Sequence, residues 1–447
     1  MSLYRHVIVE SHSITCLNIC IAGRHGTRAV GDDVKIRTDA PQCQCTPRSC
    51  TTDRTRTAPP PGVTEPGRTR HCAVIGRLKE RSKATVRPSC EVYDQQLRDS
   101  DGHVTLSIGM LAPDGGAEWD AFVRRSEGWT HFHLAGWRDV IRQVHGHECL
   151  YLEARDTAGA LVGVLPMIRV RSLVFGHYLV SMPFLNHGGP LGSELAIRAL
   201  TLDASQRARR DGVKLLEFRS RRPLPLDLPV SHRKVGVLLD LPSGDPAALF
   251  RRLDPKLRSQ IRKPQKEGVE VRFGLDQIDA FFAVFSRHMR DLGTPTQPRQ
   301  FFAAIARHFP DDVWIAAAYR DGLPIAAGYG FRWGAEFEIT WASSLRSHAR
   351  FAPNMSLYWA LMERCVREGV RTFNFGRSTP GAGTHKFKLQ WGGRDETLWW
   401  YGLAAGDASA ETPSPTAGAF SWGPAIWQRL PLAAANLIGP RVVRFIP

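Results

Sequence analysis

From Asn374 to Gly393 the chain reads Asn-Phe-Gly-Arg-Ser-Thr-Pro-Gly-Ala-Gly-Thr-His-Lys-Phe-Lys-Leu-Gln-Trp-Gly-Gly. Four of its first ten residues are Gly or Pro, a composition that lets backbone approach a ligand closely. Arg377, Ser378, Lys386 and Lys388 set several donors beside that loop. Such donors suit an anionic ligand or the oxyanion that develops on a carbonyl under attack. His385, in the same stretch, has the intrinsic pKa for proton transfer near neutrality. Further upstream, Glu338 alternates with Phe337 and Ile339 and so faces away from them on a strand. Glu338, His385 and bulk water all stay open as the proton acceptor. The plainer alternative is a solvated loop with two surface lysines.

A second concentration of donors lies between Asp245 and Gly268. Seven residues from Arg251 to Lys266 are basic and one is acidic. Phe250, Leu253, Leu257 and Ile261 recur at helical spacing, which predicts one helix with its basic residues outward. Arg258, Arg262 and Lys263 are expected to stay without acidic partners, which favours an anion-binding surface over a merely solvated face.

The elements that position these residues follow a repeated order. Val104–Met110 reads as a strand, Asp114–Glu127 and His133–His145 as helices. Glu148–Arg155, Ala160–Arg171 and His177–Phe184 read as three strands. After the loop Asn186-His187-Gly188-Gly189-Pro190 comes a helix, Ser193–Arg210, with Ser193 as its N-cap. Strands Val213–Arg219 and Val235–Leu241 close the first unit. His187 and the aromatic-rich Phe132–Trp137 read as core and loop features.

The second unit repeats the order. It has a strand at Val269–Phe273, helices at Asp276–Arg290 and Arg299–Phe309, and strands at Asp312–Tyr319, Pro324–Trp333 and Glu336–Ser343. A helix, Ala352–Glu368, follows, with Asn354 expected to cap it at Met355, a ligand contact being the other reading of that residue; strands Val370–Phe375 and Thr397–Leu403 then flank the loop. The fold class is therefore α+β, with two similar units at 104–241 and 242–405. Each is a mixed sheet flanked by helices, antiparallel first and with a parallel crossover later. Residues 1–103, rich in Arg, Thr, Pro and Cys, are expected to be disordered. Residues 406–447 form a linker and a terminal helix, Trp422–Ile438, which Pro431 kinks or breaks. Docking on the domains is the favoured role of this helix; contact with a membrane surface is the other reading.

Composition sets the partner classes. The net charge of +16 favours anionic partners: nucleic acid, phosphorylated carriers or a membrane surface. Seven of nine cysteines lie before residue 91. Cys43, Cys45 and Cys50 lack a matching pair at metal spacing, so no metal is expected. Cys149 and Cys365 read as core residues. A reducing, cytoplasmic compartment is expected, without a signal peptide.

The order of elements resembles the GNAT (N-acetyltransferase-like) fold occurring twice, and tandem GNAT-like units resemble the FemAB family. Leu253 to Gly268, Ala352 to Trp359 and Phe375 to Gly392 carry the likeness. Gly163-Val164-Leu165-Pro166 and Phe184 to Pro190 extend it toward the FemAB-like proteins associated with the exosortase and PEP-CTERM system of exopolysaccharide-producing bacteria. The resemblance implies an acyltransferase whose donor is acyl-CoA or aminoacyl-tRNA. The acceptor would be an amine on a nucleotide- or lipid-linked envelope precursor. It implies that Lys388 stabilises charge at the reacting centre, with Arg377, Ser378, Arg258 and Lys263 on the acceptor; the other reading of Arg377 is a cap on the preceding strand. Two departures matter. The helical hairpin that some family members use for tRNA is absent, and Arg350-Phe351-Ala352-Pro353-Asn354-Met355 replaces the usual coenzyme A loop. The amides at that helix start remain a phosphate site in principle. The competing class is an inactive GNAT pair that binds an anionic sugar carrier or RNA.

Overall fold

The computed structural model describes residues 93–99, 102–172, 175–404 and 423–446. The expected N-terminal segment up to residue 92 and the linker at 405–422 lie outside the described residues.

The first half begins with a hairpin, β1 (Tyr93–Asp99) and β2 (Gly102–Met110), so a strand precedes the expected start at Val104. Helices α1 (Gly116–Arg125) and α2 (Gly136–His145) follow. Trp119, Phe122 and Val123 of α1 and Trp137, Val140 and Ile141 of α2 are buried at helical spacing. Gly146 closes α2 in the left-handed region, φ 67°. Strands β3 (Glu148–Arg155), β4 (Leu161–Ser172) and β5 (Gly176–Ser181) extend the antiparallel sheet, and the short β6 (Leu191–Gly192) pairs with β4. Ser193 caps α3 (Glu194–Arg210) by accepting from the Ala196 amide. That helix carries the chain over to β7 (Leu215–Ser220), parallel to β5, and β8 (Val230–Ser231) follows.

The second half contains β9 (Val235–Asp240), α4 (Pro246–Arg252), α5 (Pro255–Lys266) and β10 (Glu270–Phe273). Next come α6 (Ile278–Leu292), α7 (Arg299–His308), β11 (Val313–Arg320), β12 (Leu323–Trp333) and β13 (Glu336–Ser344). After α8 (Pro353–Arg367) and β14 (Thr372–Ser378) come α9 (Gly383–Leu389), β15 (Arg394–Thr397), β16 (Trp399–Ala404), α10 (Gly423–Arg429) and α11 (Leu432–Val443). Its sheet runs β10-β11-β12-β13-β14-β9-β15, antiparallel except for the β13–β14 pair.

Four readings change. The single basic helix is two, because Asp254 caps a new start with Pro255 as its first residue. Asn354 does not cap α8: the N-cap is Ala352 in the left-handed region at φ 51°, and Pro353 leads the first turn. The strand at Thr397–Leu403 is split at Leu398, and its two parts lie in different sheets. β15 pairs with β9, while β16 pairs with β7 and β8 of the first half. Conversely β9, read as the end of the first unit, pairs with β14 in the second sheet. A boundary at 241/242 therefore does not follow the sheets. Pro431 stands as the N-cap of α11 and separates it from α10.

The halves also share a core. The Trp137 ring of α2 lies 5.6 Å from Phe309 and 5.5 Å from Phe331 of the second half, within the range of favourable aromatic pairing.

Candidate active site

The site forms where β13 and β14 part. The two strands pair in parallel over three residues, from Glu336 with Thr372 to Glu338 with Asn374. Beyond that point β14 pairs, among the described residues, with the strand β9 alone, across a register shift between Asn374 and Arg377. On the other side, β13 carries a bulge opposite Tyr329 and Gly330 of β12. A bulge and a parting of strands re-aim side chains and leave a gap in the sheet. Glu338 is the last paired residue before that gap.

Glu338 is fully buried and its carboxylate is held from four sides. Asn186 Nδ2 donates to Oε1 at 2.8 Å and Thr340 Oγ1 to the same oxygen at 3.1 Å. Asn374 Nδ2 donates to Oε2 at 3.3 Å, and His187 Nε2 lies 3.9 Å from Oε2. Burial pushes the Glu338 carboxyl up to about 7, and the neighbouring Glu336 adds to this; the Asn186 bond and Arg221 pull the other way. Asn186 and His187 come from the loop after β5. That loop is fixed by the Gly188 and Gly189 amides, which donate to the Arg219 carbonyl at 3.1 and 2.8 Å. Gly188 has φ 151°, and a side chain there would collide with Met182. His133 donates from Nε2 to the Gly189 carbonyl, since its Nδ1 accepts the Thr130 amide. Asn186 Oδ1 and His187 Nδ1 are buried without a hydrogen-bond partner, as is Ser378 Oγ on β14.

Lys388 approaches from α9. It is 3% exposed, and Nζ donates to the carbonyls of Gly376 at 3.1 Å and Arg377 at 2.8 Å. Burial pulls its pKa down to about 7, Arg377 lowers it further, and the field of Glu338 opposes both. α9 is seated by Phe387, whose ring lies 5.1 Å from Tyr358 of α8. A buried carboxyl and a buried amine, both brought near neutrality, are groups able to accept a proton and to offer a tunable positive charge.

The remaining predicted residues divide by position. Arg377 is half-buried, with its guanidinium 5.1 Å from the Trp400 ring, and Ser378 Oγ is buried without a partner. His385 Nδ1 accepts the Gly381 amide, so Nε2 carries the proton and donates to Asp395 at 2.7 Å. These bonds make His385 a brace for the glycine loop. Lys386 is exposed on α9. Arg258 and Lys263 are half-buried on α5, which packs against α8. Asn354 sits in the first turn of α8 with a buried, unpaired Oδ1. The sequence reading missed Asn186, His187, Thr340 and Asn374 as partners of Glu338. It also missed Arg221, which bridges Glu336 at 2.9 Å and Glu396 at 2.7 Å. The glycine pair after His187 was the available signal.

Comparison with known proteins agrees with the fold. Residues 251–389 match the family model of an acetyltransferase (GNAT) domain. A UDP-N-acetylmuramoylpentapeptide-lysine N(6)-alanyltransferase of Weissella viridescens is 26% identical over 136 residues, which are 29% of this chain and 40% of that protein. The match thus spans less than half of the relative's length. The crystal structure of FemX superposes with a TM-score of 0.50 at 14% identity, covering 64% of this chain and 96% of that one. The chain is α+β with two GNAT-like halves in tandem.

Proposed function

We propose that the chain is an acyltransferase of the FemAB type that moves an acyl or aminoacyl group to an amine, with its reacting centre at the parting of β13 and β14. The observation that carries this is the buried pair of Glu338 and Lys388, both near neutral pKa, at the gap in a GNAT-type sheet. The acceptor amine attacks the carbonyl of a thioester or ester. A C–N bond forms, the C–S or C–O bond breaks, and the proton leaves the amine for Glu338 and passes on to the leaving group. Lys388, held by two backbone carbonyls, keeps positive charge beside the developing oxyanion.

The donor is acyl-CoA or aminoacyl-tRNA. The GNAT domain match supports the first and the alanyltransferase likeness the second. The acceptor is an amine on a nucleotide- or lipid-linked envelope or exopolysaccharide precursor. The motif resemblance to exosortase-associated proteins and the basic residues Arg258, Lys263 and Arg377 support this choice. Asn354, Ser378 and Lys386 are candidates for further ligand contacts.

The test is donor consumption by the full chain, followed by mass spectrometry with acetyl-CoA, longer acyl-CoAs and charged tRNA against amine acceptors. Loss of one donor that Lys388→Ala abolishes supports the reading. A folded chain that consumes none, yet binds an anionic sugar carrier, would be a binding protein instead.

A further inference from the structure

The last helix docks by one face. On α11, Ala435, Gly439 and Val443 recur every four residues and are buried. Gly439 lies so close to the Thr296 backbone that an added Cβ would sit 3.1 Å from its nitrogen. Away from that face, Leu437 is 64% exposed on the far side of α11 and Ile438 41% exposed on its flank, and Ile426 of α10 is 50% exposed. Leu437 is the most exposed large apolar side chain among the described residues. Arg429 and Arg441 are exposed on the same two helices, and Arg441 folds back to donate to the Leu437 carbonyl at 2.7 Å. From Thr412 to Pro447 the sequence has no Asp or Glu.

We propose that this exposed surface seats the protein on an anionic lipid surface. Apolar side chains flanked by arginines, in a segment that carries no acidic residue of its own, match the boundary between acyl chains and acidic headgroups. The arginine stems lie along the apolar layer while their heads meet phosphate. A second copy of the chain fits less well. A two-fold contact would bring Arg429 and Arg441 of both copies into one interface without acidic partners. Three large apolar side chains also fall well short of the roughly 800 Å² per partner of a stable interface. The proposal stands apart from the acyl-transfer reading, because its test needs no turnover.

The test is co-sedimentation of the full chain with phosphatidylcholine vesicles, with and without phosphatidylglycerol. Since the net charge of +16 alone draws the chain to anionic vesicles, the deciding variant keeps every charge: Ile426→Ser/Leu437→Ser/Ile438→Ser. Binding to the anionic vesicles is expected to weaken roughly tenfold or more in this variant, with unchanged circular dichroism. Arg429→Gln/Arg441→Gln is expected to weaken it about tenfold. Should the serine variant not fold, Leu437→Cys carrying an environment-sensitive dye reports insertion directly, by a blue shift on anionic vesicles. Equal binding by the serine variant, no dye shift, or lipid-independent dimerisation that the serine variant abolishes would overturn the proposal.

Discussion

Asn186 donates its side-chain amide to Glu338 Oε1 at 2.8 Å, so a carboxyl of the second half is held by a residue of the first. This bond favours the charged carboxylate and opposes the rise that burial imposes. Asn186→Leu is expected to push the Glu338 pKa further up and to cost about 1–3 kcal/mol of stability. The limb of the pH–rate profile that rises near pH 7 should move to higher pH. An unchanged profile in a folded variant would remove Glu338 from proton transfer.

The pair should also leave a mark on stability. The folded pKa of Glu338, about 7, lies above the ordinary 4.5. Its contribution is therefore full below pH 4.5 and is lost as pH rises toward 7, by roughly 3 kcal/mol. Lys388 runs the other way: its folded pKa of about 7 lies below 10.5, so its contribution is full above 10.5 and is lost as pH falls toward 7. Protection of the β13 amides from hydrogen exchange should pass through a minimum near neutrality. Glu338→Gln should remove the acidic side of that minimum and leave the alkaline side.

Arg221 ties the halves together electrostatically, pairing with both Glu336 and Glu396. Arg221→Ala leaves the largely buried Glu336 and Glu396 carboxylates without their shared cation. A loss of about 3–5 kcal/mol is expected, visible as a lower urea midpoint and faster proteolysis. Arg221 also lowers the Glu338 pKa, so the variant should shift the pH–rate profile upward as well.

Gly330 tests the bulge. A Cβ there would lie 2.4 Å from the Glu338 carbonyl oxygen and 2.5 Å from the Phe337 ring. The backbone oxygen cannot step aside, so Gly330→Ala should cost about 1–3 kcal/mol. It should also impair turnover more than Gly334→Ala, which places its Cβ in open space in the turn between β12 and β13.

Most elements could be read from the sequence because their signals are local. Trp119, Phe122 and Val123 mark a helix face, Ser193 marks a cap, and Glu148–Arg155 forms a strand with the expected bounds. Lys388 and Glu338 could be singled out by residue type and by resemblance. Their partners could not: Asn186 and Glu338 are 152 residues apart, and nothing in a Gly-Gly loop names the strand it will meet. The destination of Val235–Asp240 was equally hidden. An apolar run of that length fits either sheet, and only pairing with β14 decides.

The exchanged strand β16 has a consequence for the order in which the protein can be made. During synthesis β7 emerges early, but its antiparallel neighbour is β16, at Trp399–Ala404. Until that segment leaves the ribosome, one edge of the first sheet carries unpaired amides and carbonyls. The first half must therefore wait for nearly all of the second before its sheet closes. A nascent chain stalled before residue 399 is the form most exposed to mispairing, and the one a chaperone would need to shield.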